Sequence, residues 1–371
     1  MKLPLADLSL QHREIEGEVR EGFERIMDSG DFILGEVVGE FEAAYADFCG
    51  VEFCIGVANG TDALELALRA LGIGSGDEVI LPTNTFIASA LAVIRAGASP
   101  VLVDSDPEYH LIDLPDVEAR IGPRTRAILA VDLFGQLPAL ERFEALASQR
   151  GIALLEDAAQ AQGAQRGGRV AGSFGEISGT SFYPGKNLGA YGDAGAVTTR
   201  DAGLAERIRQ LRNYGSQVKY EHPSLGFNSR LDSLQALVLK AKLARLEAWN
   251  RARREAASRY EGWLASIPDL ITPGIAAGNE HVWHIYAIRV AERDRILAAL
   301  HAEQIGASIH YPIPIHRQAS FSFLGHEEGD FPNAERAAAE MISLPIFPGI
   351  TQAQQQRVVE VLVGALQSGG S

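Results

Sequence analysis

The chain has 371 residues, 46% hydrophobic and 22% charged, which is enough for a large core and two domains. Its net charge of −15 argues against broad nucleic-acid binding, which needs basic surface, but leaves room for a small anion in a local basic pocket. No apolar run approaches the roughly 18 residues of a membrane span, Asp7, Arg13, Glu14 and Glu16 occupy the place of a signal-peptide core, and Cys49 and Cys54 cannot make a disulfide framework, so the expected setting is the cytoplasm.

Ile15, Val19, Phe23 and Ile26 stand at helical spacing over 14–28, and a second helix is expected over 36–48. Strands and helices then alternate. Apolar runs at 53–57, 79–81, 101–103, 127–131 and 152–155 read as strands, with helical patterns at 62–71, 86–96 and 138–149 between them. Such βαβ alternation implies an α/β fold with a mostly parallel sheet covered on both faces. Further short apolar runs lie at 177–182 and 196–199. Leu234 to Tyr260 reads as one long helix. A strand at 282–290 follows, then helices at 292–304, 333–342 and 351–367.

Several stretches carry residues suited to chemistry. Asn59-Gly60-Thr61-Asp62 passes from strand to helix, and free amides at such a start attract an anion; plain capping by Thr61 or Asp62 is the alternative. The glycines of 71–76 follow a helix and precede a strand, the wrong order for a dinucleotide loop, and read as a helix stop. Phe86 follows a strand end and can either stack on a ring or start the core face of a helix. Glu156-Asp157 closes an apolar strand, where a carboxylate points into the ligand crevice of an α/β protein. Ser181-Phe-Tyr-Pro-Gly-Lys186-Asn-Leu-Gly sets a lysine in a glycine-rich turn between two apolar runs. An amine with a lowered pKa there is a carbonyl nucleophile. Asn228-Ser-Arg230-Leu-Asp232 precedes the long helix and suits either phosphate binding or capping. Glu280-His281-Val-Trp-His284 departs from the His-Glu-x-x-His zinc pattern, and no metal is assigned.

Taken in order, these segments resemble the sugar aminotransferase family of fold-type-I pyridoxal-phosphate enzymes, the DegT/DnrJ/EryC1/StrS group, over nearly the whole chain. Its marks are Asn59-Gly-Thr-Asp62, Thr85-Phe86, Glu156-Asp-Ala-Ala-Gln160, Ser181 to Gly189, Gly192-Asp-Ala-Gly195 and Asn228-Ser-Arg-Leu-Asp232. Ala194 stands where many relatives carry glycine. The resemblance implies a large pyridoxal-phosphate-binding domain over 1–240, with a mostly parallel central sheet, and a smaller C-terminal α/β domain over 241–371. It implies that Lys186 anchors pyridoxal 5′-phosphate (PLP), Asp157 pairs with the pyridine nitrogen, Gln160 lies near the ring oxygen and Phe86 stacks on the ring. Gly60, Thr61 and Ser181 would hold the phosphate, with Asn228 reaching it from the other subunit of a homodimer with shared active sites.

The implied reaction takes an amino group from L-glutamate, passes through the aminated cofactor (PMP) and delivers it to a nucleotide-linked keto sugar. Lys186 is then base and acid in turn. Relatives with histidine at that position are dehydratases, so the lysine favours transamination. Residues 228–232, Lys219-Tyr220 and Ile309-His-Tyr-Pro312 are most similar to enzymes that aminate C3 of a dTDP-linked 3-keto-6-deoxyhexose. Tyr183, Lys219, Tyr220, Arg230, His310 and His316 are the matching candidates for substrate contact. A UDP-linked 3-keto sugar, a 4-keto sugar and a non-catalytic regulatory protein on the same fold are the alternatives. The βαβ pattern alone would also suit a Rossmann dehydrogenase, but no glycine fingerprint follows the first strand.

Overall fold

The structure, a computed structural model, describes residues 2–368. Two helices come first. α1 (Leu8–Ser29) starts on the Asp7 side chain, which accepts the Ser9 N–H, and stops at Gly30 in a left-handed conformation; α2 (Glu36–Cys49) stops in the same way at Gly50. The strand–helix alternation expected from the sequence follows as β1 (Phe53–Val57), α3 (Gly60–Ala70), β2 (Glu78–Pro82), α4 (Ile87–Ala96), β3 (Ser99–Val103), α5 (Leu114–Arg120), β4 (Thr125–Val131), α6 (Leu140–Arg150) and β5 (Ala153–Asp157). A small hairpin, β6 (Gln165–Arg166) and β7 (Arg169–Val170), leads to β8 (Ile177–Ser181), β9 (Gly195–Thr199) and α7 (Ala202–Arg212).

These strands build a seven-stranded sheet in the order β1-β9-β8-β5-β4-β2-β3. β3, β2, β4, β5 and β8 run parallel, and β9 lies antiparallel to both β8 and β1. Because side chains alternate along a strand, each strand divides its residues between two faces. Val79, Leu81, Ala127, Leu129, Val131 and Leu155 join the core under α3 and α4. Ile80, Val103, Ile128, Ala130 and Leu154 join Leu114 and Val117 of α5 and Phe143 of α6 on the other face. Burial on both sides is why these strands read as continuous apolar runs. Truncating one such fully buried leucine to alanine costs roughly 2–5 kcal/mol.

After Asp232 the chain forms α8 (Ser233–Leu243) and α9 (Leu246–Leu264). The single long helix expected here is broken at Ala244 and Arg245. The reason is a division of labour: α8 packs on α1 and α2, whereas Ala256, Ala257, Tyr260 and Leu264 of α9 belong to the C-terminal core. One straight rod cannot present both stripes. β10 (Leu270–Ile271), β11 (Asn279–Glu280), β12 (Tyr286–Val290), α10 (Arg293–Ala302), α11 (Pro332–Glu340), β13 (Met341–Leu344) and α12 (Gln352–Gln367) complete the order. β12 is shorter than the strand expected over 282–290, because Val282 and Ile285 donate their amides to the Gly135 and Phe134 carbonyls instead. β13 cuts short the helix expected to reach 342; it pairs antiparallel with β12 in a small sheet, β10-β12-β13. α5 and α7 are additions that the sequence reading lacks. No helix among the described residues is long and apolar enough to cross a membrane.

Candidate active site

The strand parity that builds the core also separates Glu156 from Asp157. Glu156 faces away from α3 and α4, where its carboxylate accepts the Gly172 and Phe174 amides at 2.9 and 3.0 Å. Asp157, on the same face as Leu155, turns toward α4 and accepts the Ser89 hydroxyl at 2.8 Å. Thr85 lies 3.0 Å behind Ser89, so the carboxylate is held by a short relay. Burial pushes the Asp157 pKa up, while Ser89, the Ala159 amide and the Lys186 charge pull it down. Only Asp157 of this acidic pair reaches the cavity.

Lys186 enters the cavity from the β8–β9 connection. Phe182 and Leu188 are fully buried and pin the loop on both sides of the lysine. Phe182 exchanges backbone hydrogen bonds with Ala190 and Ala194, and the Lys186 amide donates to the Tyr183 carbonyl at 2.8 Å. A Cβ on Gly189 would lie 2.3 Å from the Pro184 carbonyl oxygen, so only glycine lets the loop fold back this tightly. Asn187 ties the loop to α9 through Asn250 and to the Val282 carbonyl, each at 2.9 Å. The Lys186 amine itself makes no hydrogen bond or ion pair among the described residues. Burial lowers its pKa to about 8, against the opposing pull of Asp157.

The third element is the start of α3. Its cap is Asn59, whose side chain accepts the Asp62 amide at 2.8 Å, rather than Thr61 or Asp62. The amides of Gly60 and Thr61 have no partner among the described residues and lie at the positive end of a helix dipole, which favours an anion. A Cβ on Gly60 would stand 2.5 Å from the Ser181 Cβ. This packing brings the end of β8 against the start of α3. Gly60→Ala should therefore cost about 1–3 kcal/mol of stability, as overpacking does, and thermal unfolding would read the loss. An unchanged Tm would show that the approach is not tight.

A cavity of about 710 Å³ joins these elements. Of the residues singled out by sequence, Gly60, Thr61, Phe86, Asp157, Gln160, Ser181, Tyr183, Lys186 and His310 line it. Phe86 is half exposed and its ring lies 5.4 Å from that of Tyr311. Gln160 accepts the Phe134 amide at 2.7 Å and donates to the Tyr311 hydroxyl at 2.9 Å. His310 contacts the Ser343 hydroxyl at 2.8 Å, and burial lowers its pKa to about 4.

His316 stands apart from the cavity. Its buried ring contacts Thr83 on one nitrogen and Glu335 on the other, which spends both on structure. Lys219, Tyr220, Asn228 and Arg230 also lie outside this chain's cavity. Lys219 and Tyr220 sit on an exposed loop, with Tyr220 83% exposed. Asn228 is exposed, and Arg230 donates to Asn213 at 3.2 Å. Their neighbour Ser229 donates to Asp62 at 2.8 Å, which fixes this segment beside the α3 start.

Arg253 lines the cavity without having been singled out by sequence; His284, read only as part of a departure from a zinc pattern, and Tyr311, read only within the segment 309–312, line it too. His284 approaches Asn187 at 3.3 Å; burial, then the charges of Lys186 and Arg253, keeps it neutral. Among the described residues no cluster of three or more His, Cys, Asp or Glu is arranged to hold a metal.

Comparison with known proteins matches this geometry to one group. The DegT/DnrJ/EryC1/StrS aminotransferase family matches residues 13–363. The dTDP-3-amino-3,4,6-trideoxy-alpha-D-glucose transaminase of Streptomyces venezuelae is 43% identical over 361 residues, covering 97% of this chain and 95% of that protein. A UDP-N-acetyl-3-dehydro-alpha-D-glucosamine 3-aminotransferase of Acidithiobacillus ferrooxidans is 45% identical over 360 residues, covering 97% of each. The solved structure of S. venezuelae DesV superposes with a TM-score of 0.96 at 43% identity, covering 98% of each chain.

Proposed function

From the premise that the chain belongs to the DegT/DnrJ/EryC1/StrS aminotransferase family, we propose that it moves an amino group from L-glutamate to C3 of a dTDP-linked 3-keto-6-deoxyhexose. The family depends on pyridoxal 5′-phosphate, which when bound supplies an exchangeable carbonyl and an electron-accepting ring. The residues present fit that group. The unpartnered Lys186 amine suits its aldehyde, the buried Asp157 carboxylate its ring nitrogen, and the free Gly60 and Thr61 amides beside Ser181 its phosphate.

The reading rests chiefly on Lys186, a half-buried amine without a partner among the described residues, within the field of Asp157 in one cavity. In this reading Lys186 removes a proton from the donor Cα and later returns one, a role that suits a pKa brought near working pH. Asp157, held by Ser89, would offer its carboxylate to the ring nitrogen. Phe86 offers a flat apolar face to the ring, and Gln160 offers its remaining amide N–H near the ring oxygen. Tyr183 and His310 are the sugar-side contacts within this chain.

Lys219, Tyr220, Asn228 and Arg230 act in the reading on the cavity of a second copy. The exposure of Lys219, Tyr220 and Asn228, with that of Phe32, Ile33, Leu34 and Leu225, supports a homodimer with shared sites, and the proposed setting is the cytoplasm. A UDP-linked 3-keto sugar is the second reading, favoured by the likeness to the A. ferrooxidans enzyme.

The test is amine exchange. Cofactor-loaded protein should lose its visible absorbance band on adding glutamate and regain it with a dTDP-linked 3-keto sugar. Recovery with UDP-linked 3-keto sugars alone would favour the second reading, and recovery with 4-keto sugars alone would overturn both. A fully active monomer in sedimentation would remove the shared-site part.

A further inference from the structure

Arg253 lies on α9 in a run of three cations among four residues, Arg251-Ala252-Arg253-Arg254, yet it is only 3% exposed. It falls on the buried stripe of the helix, with Trp249, Asn250, Ala256, Ala257 and Tyr260. Its Nη1 donates to the backbone carbonyls of Trp283 and Ile346 at 3.2 and 3.0 Å. Its Nε is buried with no partner, and Nη2 donates to no group of the chain. No carboxylate pairs with it.

A buried cation without a counter-charge is costly, because desolvation is not repaid by any attraction. The other cations of the cavity are provided for. Arg95 is paired with Asp62 and Glu65, and Lys186 lies in the field of Asp157. Arg253 alone among these described cavity residues lacks an acidic neighbour. What its two carbonyl contacts and the enclosed Nε leave open is Nη2, whose N–H groups can donate to a carboxylate. The cavity wall at this end includes Leu5, Leu344 and Ile346, so the anion it suits is small. His284, which feels the charges of both Lys186 and Arg253, places the guanidinium within electrostatic reach of the ring beside the lysine.

We infer that Arg253 binds a carboxylate of the amino donor. This deepens the proposed transamination and rests on it. The guanidinium forms no covalent bond. It fixes the donor by its acid group, so that the amino-bearing carbon is presented to the chemistry at Lys186. The keto-sugar half of the cycle brings no carboxylate to this place and should not need the residue.

The two half-reactions of the loaded enzyme can be measured separately in the wild type, Arg253→Met and Arg253→Lys. Arg253→Met should lower kcat/KM for glutamate by about 100-fold, in the range seen when a buried charge pair loses one member. Amination of the keto sugar by the aminated enzyme should stay within about twofold, since no acidic partner is removed there. Glutarate, which has the acid groups but no amine, provides a readout other than turnover. It should compete with glutamate in the wild type and about 100-fold more weakly in Arg253→Met. Arg253→Lys should recover part of both losses and shows the same split if the methionine variant fails to fold. Equal falls in both half-reactions, or glutarate competing equally in all three proteins, would overturn the assignment while leaving the transaminase reading intact. A wild type that accepts no amine from any amino acid would remove both.

Discussion

Alanine at Lys186 should abolish amine exchange with glutamate and leave the fold intact. The amine makes no contact whose loss would strand a buried partner, and its burial already disfavours the charged form. Removing it therefore relieves a desolvation cost and gives up only the attraction to Asp157, and the thermal midpoint should change little. The chemical loss is large because one group serves two purposes. Proton transfer by a positioned side chain contributes about 10²–10⁴-fold, and the covalent anchor for the cofactor disappears with it. A fall of about 10⁴ or more in the single-turnover rate is expected. The wild type carries a companion signature. Its amine attacks a carbonyl only when neutral, so covalent loading of the cofactor should rise about tenfold per pH unit up to about 8 and level off above. An ordinary lysine would keep gaining past pH 10. A variant that keeps a tenth of the wild-type exchange rate would sink the role of Lys186.

Asp157→Asn is expected to be the next most damaging change. Asparagine keeps the shape and can still accept from Ser89, so folding should survive. What disappears is the negative charge. In the unloaded site burial raises the pKa of the carboxyl, against Ser89 and the Ala159 amide. A protonated ring nitrogen opposite it would supply the counter-charge and hold it ionised. Without that partner the ring loses its proton and most of its electron-accepting power. Loss of one preorganised electrostatic group costs about 10²–10³-fold in kcat, and a similar fall is expected here with glutamate KM changed much less. A fall smaller than threefold, measured under saturating cofactor, would show that the charge is not needed.

The parts that were legible in the sequence share a physical cause. β2, β4 and β5 are apolar throughout because both faces are covered, and α3, α4 and α6 fit between them at regular spacing. Lys186, Asp157, Ser181 and Gly60 were legible because each sits in a contiguous motif at a strand end or turn, where the backbone itself needs particular residues. α5 was not, since seven residues with only Leu114 and Val117 buried make a faint periodic signal. The break at Arg245 was hidden because apolar spacing continues across it while the packing partners change. Arg253 is hidden in the sequence among the neighbouring cations Arg251 and Arg254. Its place on the stripe of Trp249, Ala256 and Tyr260 was the available signal. His316 erred in the opposite direction: a histidine near a promising segment turned out to bridge Thr83 and Glu335 inside the core. Two carboxylates in tandem looked like a pair, yet strand alternation gives Glu156 and Asp157 opposite faces and different duties.

The cavity wall includes Leu5 and Ala6, held by partners from the far end of the chain. Leu3 exchanges backbone hydrogen bonds with Gln304 and Gly306, and the Leu5 carbonyl accepts from Ile346. On a ribosome, the segment around Leu3 to Ala6 must therefore wait for residues 304–306 and 346 before this wall can close. The long-range pairing is slow by its topology, and the earlier sheet can form while the wall is still missing. The nascent protein would thus complete its sheet first and close this cavity wall last, once the segment through Ile346 has emerged.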